Sequence, residues 1–348
     1  MSEITINGEK YASIEDYLEG KVKLPEIKAG ERAGETSKYQ TAVIPKGFTV
    51  SNATGETDVS TGLVIYDIPE NELENVKWDG TEKTKYNQFV WIPVEVNKTT
   101  APKDTETNIA SFYRSEWLGN ERTTGLSTAY TEPNATHDTD DNTGIASQIE
   151  NLTKSIYKYG GFYIGRYEAG SETERTDESA NTVTTLGIKQ DMYPYDHVKW
   201  GESGINIGEV GAVALSNSLY NSTKPNYGAT SMLCTGACWD SMLDFIKDEE
   251  HSVSGLSWGN YKYSETYKIY RGSLYSNSTW NSADATSGTE ITRKQAILLT
   301  TGATNRNSAK NIYDVAGNCA EWTTESYLLG YRVCRGRQLL RQWYWPKT

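Results

Sequence analysis

The apolar residues in the first third of the chain follow the pattern of β-strands. GLVIYDI (62–68) and NQFVWIPVEV (87–96) are rich in β-branched and aromatic residues, and a Trp-Asp-Gly turn signal at 78–80 lies between them. Runs of this length and composition, bounded by turn residues, are typical of buried strands. The sequence therefore predicts a hairpin-like pair of strands near the start of the folded region.

Two later segments show the apolar spacing of amphipathic helices. In ASQIENLTKSIYKYGG (146–161), Ile149, Leu152 and Ile156 recur at helical spacing, and the Gly-Gly pair is a stop signal before the strand pattern GFYIGRYEAG. TSMLCTGACWDSMLDFIKDEE (230–250) repeats the helical pattern. The sequence therefore predicts two main helices, the first of which runs directly into a strand.

The remaining stretches are polar and predict long loops. Residues 97–147 and 255–310 are rich in Ser, Thr, Asn and Gly, so we expect a surface insertion in the first and irregular structure in the second. Residues 1–40 are highly charged, with a short amphipathic piece at 14–18, and fit either an attachment arm or a disordered leader. We therefore expect an N-terminal arm or linker at 1–40 and one domain at 41–348.

Composition narrows the classes of partner. The chain has 34 Lys and Arg against 46 Asp and Glu, a net charge of −12, and an acidic surface repels phosphate backbones, so nucleic acid is not expected as a partner. No apolar run approaches the roughly 20 residues that span a bilayer, so no membrane insertion is expected. MSEITINGEK lacks the apolar stretch of a secretory signal, so we expect the chain to be cytoplasmic as synthesised.

The aromatic residues are mostly those with a polar group. The chain has 24 Tyr and 10 Trp against 5 Phe. Tyr and Trp combine an apolar body with a hydrogen-bonding group, which suits exposed contact surfaces. The same side chains also pack the cores of β-rich folds, so composition leaves both roles open.

The cysteines do not show the pattern of a disulfide framework or of a zinc site. Cys234, Cys238, Cys319 and Cys334 are too few for a disulfide scaffold in 348 residues, and we interpret them as reduced thiols. Cys234 and Cys238 lie four residues apart within the second predicted helix, but no further Cys or His pair follows at the spacing of a zinc site. Core packing is therefore the interpretation for both side chains.

The segment NIYDVAGNCAEWTTES (311–326) is the strongest candidate for binding an ion. Asp314 and Glu321 flank a Gly-Asn turn, where Gly317 permits a positive φ and Asn318 can hydrogen-bond backbone groups. Two carboxylates at one turn need compensation, and Ca²⁺ accepts carboxylate and carbonyl oxygens together. The spacing alone also fits an exposed Asp and an exposed Glu beside an ordinary turn.

NIYDVAGNCAEWT resembles the N-x-Y-D-x-x-G-N-x-x-E-W-T signature of the formylglycine-generating enzyme family, also called sulfatase-modifying factors. The resemblance extends in the family's order through FVWIPV, GGFYIGRYEAG, CWDSMLDFI and SWGNY. It implies an α+β, C-type-lectin-like fold of mixed, twisted strands with two main helices and long loops. By position it also implies a calcium site formed by the side chains of Asp314 and Glu321 and the carbonyl groups of Gly317 and Cys319.

The resemblance does not extend to the family's catalytic groups. Formylglycine-generating enzymes bind copper through a pair of cysteines beyond an R-G-G-S segment. In this chain Cys334 precedes the Arg-Gly pair, Arg337 stands where the second Gly belongs, and no cysteine follows. Iron-dependent sulfoxide synthases of the same family use a histidine cluster, whereas the three histidines here are scattered in polar surroundings.

The resemblance therefore favours the family's binding branch, in which the scaffold displays a variable surface near the C-terminus. Known members of that branch are targets of diversity-generating retroelements, commonly in phage or prophage. We expect a non-catalytic ligand- or receptor-binding protein whose partner is a protein or a glycan, with virion association for a phage-encoded member. The alternative is a formylglycine-generating-type oxidase acting on a cysteine of a partner protein.

The expected contact surface is the aromatic and basic C-terminal end. Tyr and Trp give large contact area with few torsions to freeze, although the same segment also fits a floppy terminus. The expected ligand-binding residues are Tyr331, Arg335, Arg337, Trp343, Tyr344 and Trp345.

The C-terminal sequence departs from the family. Family domains continue after R-G-G to a G-F-R strand, whereas this chain stops twelve residues after Gly336, in RQLLRQWYWPKT. We expect the domain to be truncated there by a frameshift or an altered variable region. Such a truncation would leave an unpaired strand edge.

Overall fold

The computed structural model describes most of the region assigned to the domain. The residues described are 42–94, 112, 114–118, 120–123, 145–174, 186–196, 198–201, 211–248, 251, 258–260, 265–292, 297–328 and 331–336, and the backbone of 4–6 and 9–11. They combine several small antiparallel sheets with a few helices, which confirms the predicted α+β class. Most of 1–40, including the amphipathic piece at 14–18, lies outside the described residues.

Both predicted helices are present. The α-helices in the described residues are α1 (Glu70–Leu73), α2 (Glu82–Lys85), α3 (Ile145–Tyr159), α4 (Ala212–Leu219) and α5 (Gly236–Ile246). Helix α3 ends at the predicted stop, because Gly160 has a φ of 79° and its N–H donates to the carbonyl of Ile156 at 2.7 Å. Helix α4 was not predicted. None of the helices described here has the length and apolarity required to cross a membrane.

Helix α5 begins at Gly236, two residues after the first cysteine that the pattern placed within it. The Thr235 hydroxyl accepts a hydrogen bond from the Cys238 N–H at 3.0 Å, so Thr235 caps the helix. Cys234 therefore precedes α5, and its predicted place within the helix is wrong. Cys238 is buried in the core, as expected.

The strands are short, and most pair with neighbours along the chain. They are β1 (Ile4–Ile6), β2 (Glu9–Tyr11), β3 (Thr49–Val50), β4 (Val64–Tyr66), β5 (Gln88–Pro93), β6 (Glu116–Leu118), β7 (Glu121–Thr123), β8 (Gly161–Gly165), β9 (Gly170–Ser171), β10 (Leu186–Gly187), β11 (Tyr193–Pro194), β12 (Tyr267–Ile269), β13 (Ser273–Ser276), β14 (Thr279–Ser282), β15 (Thr289–Ile291), β16 (Leu298–Leu299), β17 (Ser308–Ala309), β18 (Ile312–Tyr313), β19 (Glu321–Leu328) and β20 (Tyr331–Arg335).

A four-stranded antiparallel sheet in the order β3-β4-β5-β8 lies at the centre of the core. Val90 and Ile92 of β5 pack with Met242 of α5 on one face, and Trp91 packs with Ile65 on the other. Because both faces are covered, β5 carries an almost unbroken apolar run. The antiparallel pairing of β4 with β5 confirms the predicted hairpin-like pair.

The polar stretch at 255–310 is not irregular, and that prediction is wrong. It contains β12 paired with β15, and a three-stranded sheet in the order β14-β13-β16. Ile269, Leu274, Ile291 and Leu299 from these strands form a separate apolar cluster. The strands are only two to four residues long and rich in Ser and Thr, so their apolar positions are too sparse for a local pattern.

Part of the predicted surface insertion packs against α5 instead of lying in solvent. The Ser115 N–H and the Trp117 indole N–H donate to the carboxylate of Asp240 at 2.8 and 3.2 Å. Arg114 forms salt bridges with Asp240 and with Glu325 of β19. The β6–β7 hairpin is thereby attached to the core, and most of the rest of 97–147 lies outside the described residues.

Asn311 joins the beginning of the domain to its end. Its side-chain amide donates to the carbonyl groups of Gly55, Thr61 and Gly62 at 2.8, 3.2 and 2.8 Å. Gly62 has a φ of 94°, and a side chain there would overlap the carbonyl group of Lys310. The 55–62 loop is therefore fixed by a segment more than two hundred residues later in the chain.

Candidate functional site

The 311–321 turn has an unusual backbone. Asp314, Gly317 and Asn318 have φ values of 63°, 97° and 63°, so the positive φ predicted at Gly317 is confirmed. Asn260 lies alongside the turn, donating its N–H to the carbonyl of Ala316 and accepting the N–H of Asn318, each at 2.7 Å. These bonds hold the turn in one conformation.

Asp314 is a buried acid. Its side chain is 1% exposed, and its carboxylate accepts the Gly302 N–H at 2.7 Å and the Asn307 amide at 3.4 Å. Burial raises the pKa of Asp314 to about 6, against the opposing effect of these two hydrogen bonds. The interpretation of Asp314 as an exposed acid beside an ordinary turn is therefore wrong.

Asn318 and Cys319 position a third acid that the sequence did not indicate. The Asn318 amide donates to Glu168 Oε2 at 2.6 Å, and the Cys319 N–H donates to Glu168 Oε1 at 2.9 Å. Asn318 also exchanges hydrogen bonds with both backbone groups of Leu299. Glu168 follows β8 and is buried, so the 311–321 turn is anchored to the central sheet through this carboxylate.

Glu321 has a carboxylate oxygen with unused hydrogen-bonding capacity. Its Oε2 atom is buried and has no hydrogen-bond partner among the described residues. A methyl group placed on Gly336 would lie 2.5 Å from this oxygen, 3.5 Å from the carbonyl oxygen of Cys319 and 3.6 Å from that of Val315. Neither carbonyl accepts a hydrogen bond from another described residue. Three oxygens therefore surround the position that a side chain at Gly336 would occupy.

Glu168, Asp314 and Glu321 form a cluster of acids whose environment disfavours their ionised forms. Burial and the charge of Asp314 raise the pKa of Glu168 well above its usual value, and burial and the charge of Glu168 do the same for Glu321. Arg271 lowers the pKa of Asp314 by its charge, but within the described residues no salt bridge reaches any of the three acids. A buried cluster of this kind is stabilised by protons or by a bound cation.

The donor set fits calcium better than a transition metal. In the described part of the chain, no group of three or more His, Cys, Asp or Glu side chains is arranged to hold a metal ion. Calcium also takes backbone carbonyls, with oxygen ligands at roughly 2.3–2.6 Å. One carboxylate oxygen and two carbonyl oxygens around one position could hold part of a calcium coordination shell, to which water would add the remaining ligands.

The predicted metal ligands are brought together only in part. The Cys319 carbonyl and the Glu321 side chain lie near the position of a Gly336 side chain, whereas the Asp314 carboxylate and the Gly317 carbonyl are not among the three nearest atoms there. The Val315 carbonyl oxygen lies near the same position and was not predicted, because a backbone oxygen leaves no signature in residue type. Glu168 had a signal, since it lies in the GGFYIGRYEAG segment that carries the family resemblance.

Among the predicted ligand-binding residues, Arg335 has a structural contact. Its guanidinium donates to both carboxylate oxygens of the buried Glu325, at 2.7 and 2.8 Å. The backbone of Tyr331 pairs with Leu328 in the β19–β20 ladder. The Tyr331 side chain and residues Arg337, Trp343, Tyr344 and Trp345 lie outside the described part of the structure.

All four cysteines are reduced thiols. Burial and the charge of Glu168 raise the pKa of Cys319 well above its usual value, which disfavours the thiolate that nucleophilic and metal chemistry require. Cys334 is exposed on β20, and no disulfide joins any of the cysteines in the described residues.

Comparison with known proteins adds no family assignment. No family model matches the chain, and no curated protein or solved structure matches it significantly. The function is therefore argued from the site and from the sequence motif.

Proposed function

We propose that this protein is a non-catalytic ligand- or receptor-binding protein built on a calcium-stabilised scaffold of the C-type-lectin-like, formylglycine-generating-enzyme type. Support comes from the NIYDVAGNCAEWT motif and from an α+β architecture of small antiparallel sheets. The proposal includes a phage or prophage origin, a protein or glycan receptor and a contact surface formed by the C-terminal segment.

The observation that carries the proposal is the buried Oε2 atom of Glu321, which lacks a hydrogen-bond partner among the described residues and faces the carbonyls of Cys319 and Val315. Calcium bound there supplies the positive charge that compensates the Glu321 carboxylate. The ion would join the Val315 and Cys319 carbonyls of the 311–321 turn to the Glu321 side chain at the start of β19, beside Gly336, which follows β20. The segment after Gly336 would then leave the domain from a fixed position.

The oxidase alternative receives less support. Copper chemistry of the formylglycine-generating type requires a pair of thiolates, and burial and the charge of Glu168 raise the pKa of Cys319, which disfavours its thiolate in the metal-free protein. No cysteine follows Gly336 in the sequence. Oxygen consumption by the copper-treated protein in the presence of a cysteine-containing peptide would contradict the non-catalytic assignment, and we expect none above a protein-free control.

The calcium site is tested by thermal unfolding after EDTA treatment, with and without added Ca²⁺. At a calcium concentration of about 100 times Kd, binding should stabilise the wild type by about 2.7 kcal/mol. Glu321→Gln should abolish this shift, because the amide keeps the shape of the side chain but removes its charge. Glu290→Gln, which changes an exposed acid on β15, is the matched control and should retain the shift.

Two outcomes would overturn the calcium assignment. One is an absence of any calcium-dependent shift in the wild type. The other is a shift that persists at full size in Glu321→Gln.

A further inference from the structure

The outer face of the β14-β13-β16 sheet carries two aromatic residues, of which Tyr275 is exposed and Trp280 is half-buried. Leu274 of β13 points into the core, so its neighbour Tyr275 points to the opposite face. Tyr275 pairs directly with Trp280 of β14 and with Leu298 of β16, which places all three side chains on that face. The Tyr275 and Trp280 ring centroids are 5.5 Å apart, and the Tyr193 ring lies 4.9 Å from Trp280. We call Tyr193, Tyr275, Trp280 and Leu298 the aromatic platform.

The platform is held in place before any ligand arrives. Asn277 and Ser278 form the β13–β14 turn with φ values of 52° and 60°, as in two-residue hairpin turns that match the strand twist. The Asn281 amide donates to the Ser276 carbonyl, the Ser276 hydroxyl and the Thr279 carbonyl at 3.3, 3.2 and 3.0 Å. Binding to this surface would therefore freeze few additional torsions.

The β13–β14 hairpin that carries Tyr275 and Trp280 is polar but uncharged. Residues 272–283 include no Asp, Glu, Lys or Arg, although 23% of the chain is charged and its net charge is −12. Ser282 is exposed on the same face as the rings, and Asn277 and Ser278 are exposed at the adjoining turn, so hydroxyl and amide groups lie beside the platform. Tyr275 is 36% exposed. The surface thus combines aromatic faces with neutral hydrogen-bonding groups.

This combination suits one class of ligand. A pyranose ring presents C–H groups on one face, and the partial positive charge of C–H hydrogens is attracted to the negative face of an aromatic ring. Its hydroxyls can exchange hydrogen bonds with the hydroxyl and amide groups around the platform. A carboxylated or sulfated sugar would find no cation in 272–283 to compensate its charge.

We infer that the aromatic platform binds a neutral glycan. The inference adds a second contact surface to the proposed binding function. It depends neither on the calcium site nor on the residues after Gly336, so it can fail or succeed independently of both.

The test is a glycan array probed with the full-length protein in EDTA and again in Ca²⁺, followed by titration calorimetry with a neutral oligosaccharide retained on the array. Neutral glycans should be retained in both buffers, and acidic glycans should not. Trp280→Ala should weaken binding by about tenfold and Tyr275→Ala by several-fold, because each removes one stacking surface. Tyr275→Phe should bind as the wild type does, since it keeps the ring.

Tyr270→Ala is the matched control, because Tyr270 is 53% exposed but lies outside the platform. Its binding should equal that of the wild type, and thermal unfolding should show that each variant is folded. An array that retains no neutral glycan would overturn the inference, as would equal losses in Tyr270→Ala and Trp280→Ala. Trp280-dependent capture of a protein, without retention of any glycan, would also overturn it in favour of a protein ligand.

Discussion

Two buried acidic sites in this protein differ in how their negative charge is compensated: one is the single acid Glu56, and the other is a cluster of three acids. Glu56 is 4% exposed, and its carboxylate accepts hydrogen bonds from Arg166 and from the Ser51 hydroxyl, each at 2.6 Å. Burial alone would raise its pKa, but the hydrogen bond and charge of Arg166 lower it to about 2. The positive charge that compensates Glu56 therefore comes from the protein itself, from the Arg166 side chain.

The cluster of Glu168, Asp314 and Glu321 lacks such a cation in the described residues. Backbone and side-chain amides donate to two of the acids, yet burial raises the pKa of all three. Amides orient a carboxylate but do not neutralise it. The difference teaches that burial alone does not distinguish a structural acid from a binding site, whereas the location of the opposing charge does.

Among the variants that test this comparison, Arg166→Met should change the free energy of unfolding most. It removes the internal cation while keeping an apolar side chain of similar length, and leaves Glu56 buried without its charge partner. We expect a loss of about 3–5 kcal/mol in the free energy of unfolding, measured with urea. Lys83→Met should cost less than about 1 kcal/mol, because Lys83 is a more exposed second partner of Glu56 at 3.2 Å. Similar losses in the two variants would show that Arg166 is not the deciding charge.

The next largest effect should come from acid, which removes the contribution of the Glu56 carboxylate to the free energy of unfolding. The carboxylate titrates near 2 in the folded protein and near 4.5 in the unfolded chain. Its stabilisation is therefore complete above pH about 4.5 and is lost as the pH falls toward 2, to a total of about 3 kcal/mol.

The measurement for Glu56 is urea unfolding in EDTA between pH 5 and pH 3, where the stability of the wild type relative to Glu56→Gln should fall with pH, because the three acids of raised pKa titrate alike in both proteins. Glu56→Gln lacks the contribution of Glu56 over the same interval, because the amide does not titrate. An identical pH dependence in both proteins would assign the acid sensitivity to other groups.

Gly336→Ala should have the smallest effect on the unliganded protein and yet remove the calcium response. Gly336 has a φ of 78°, so any side chain costs about 1 kcal/mol in backbone strain. The added methyl group would also occupy the space facing Glu321 Oε2. Gly55→Ala is the matched control, with a φ of 82° and no atom within 4 Å of the new methyl group.

In EDTA both glycine variants should lose stability through backbone strain, and Gly336→Ala should lose somewhat more, because Glu321 must shift to admit the methyl group. Only Gly336→Ala should lose the calcium-dependent shift in thermal unfolding. A full calcium response in Gly336→Ala would place the ion elsewhere.

The elements with a strong local pattern were predictable from the sequence. Helices α3 and α5 repeat apolar residues every three or four positions, and β5 is a run of β-branched and aromatic residues, so each reveals its structure within its own length. Gly317 was predictable because a positive φ favours that residue.

The parts that depend on distant partners were not predictable. Strand β16 has only two residues, Leu298 and Leu299, and is defined by its pairing with β13. Glu168 reaches the site because Asn318, 150 residues later, donates to it. A single sequence shows residue types and spacings, but not which carboxylate a remote amide will meet.

The three hydrogen bonds of Asn311 also affect how the protein is made. The ribosome releases the 55–62 loop long before residue 311 exists, since the closest of the three partners in sequence is 249 positions away. Contacts of such high sequence separation form slowly, because a long loop of chain must close first. The amino-terminal loop therefore waits for almost the whole polypeptide before reaching its native shape, and nascent chains ending before this asparagine would need protection from aggregation by chaperones.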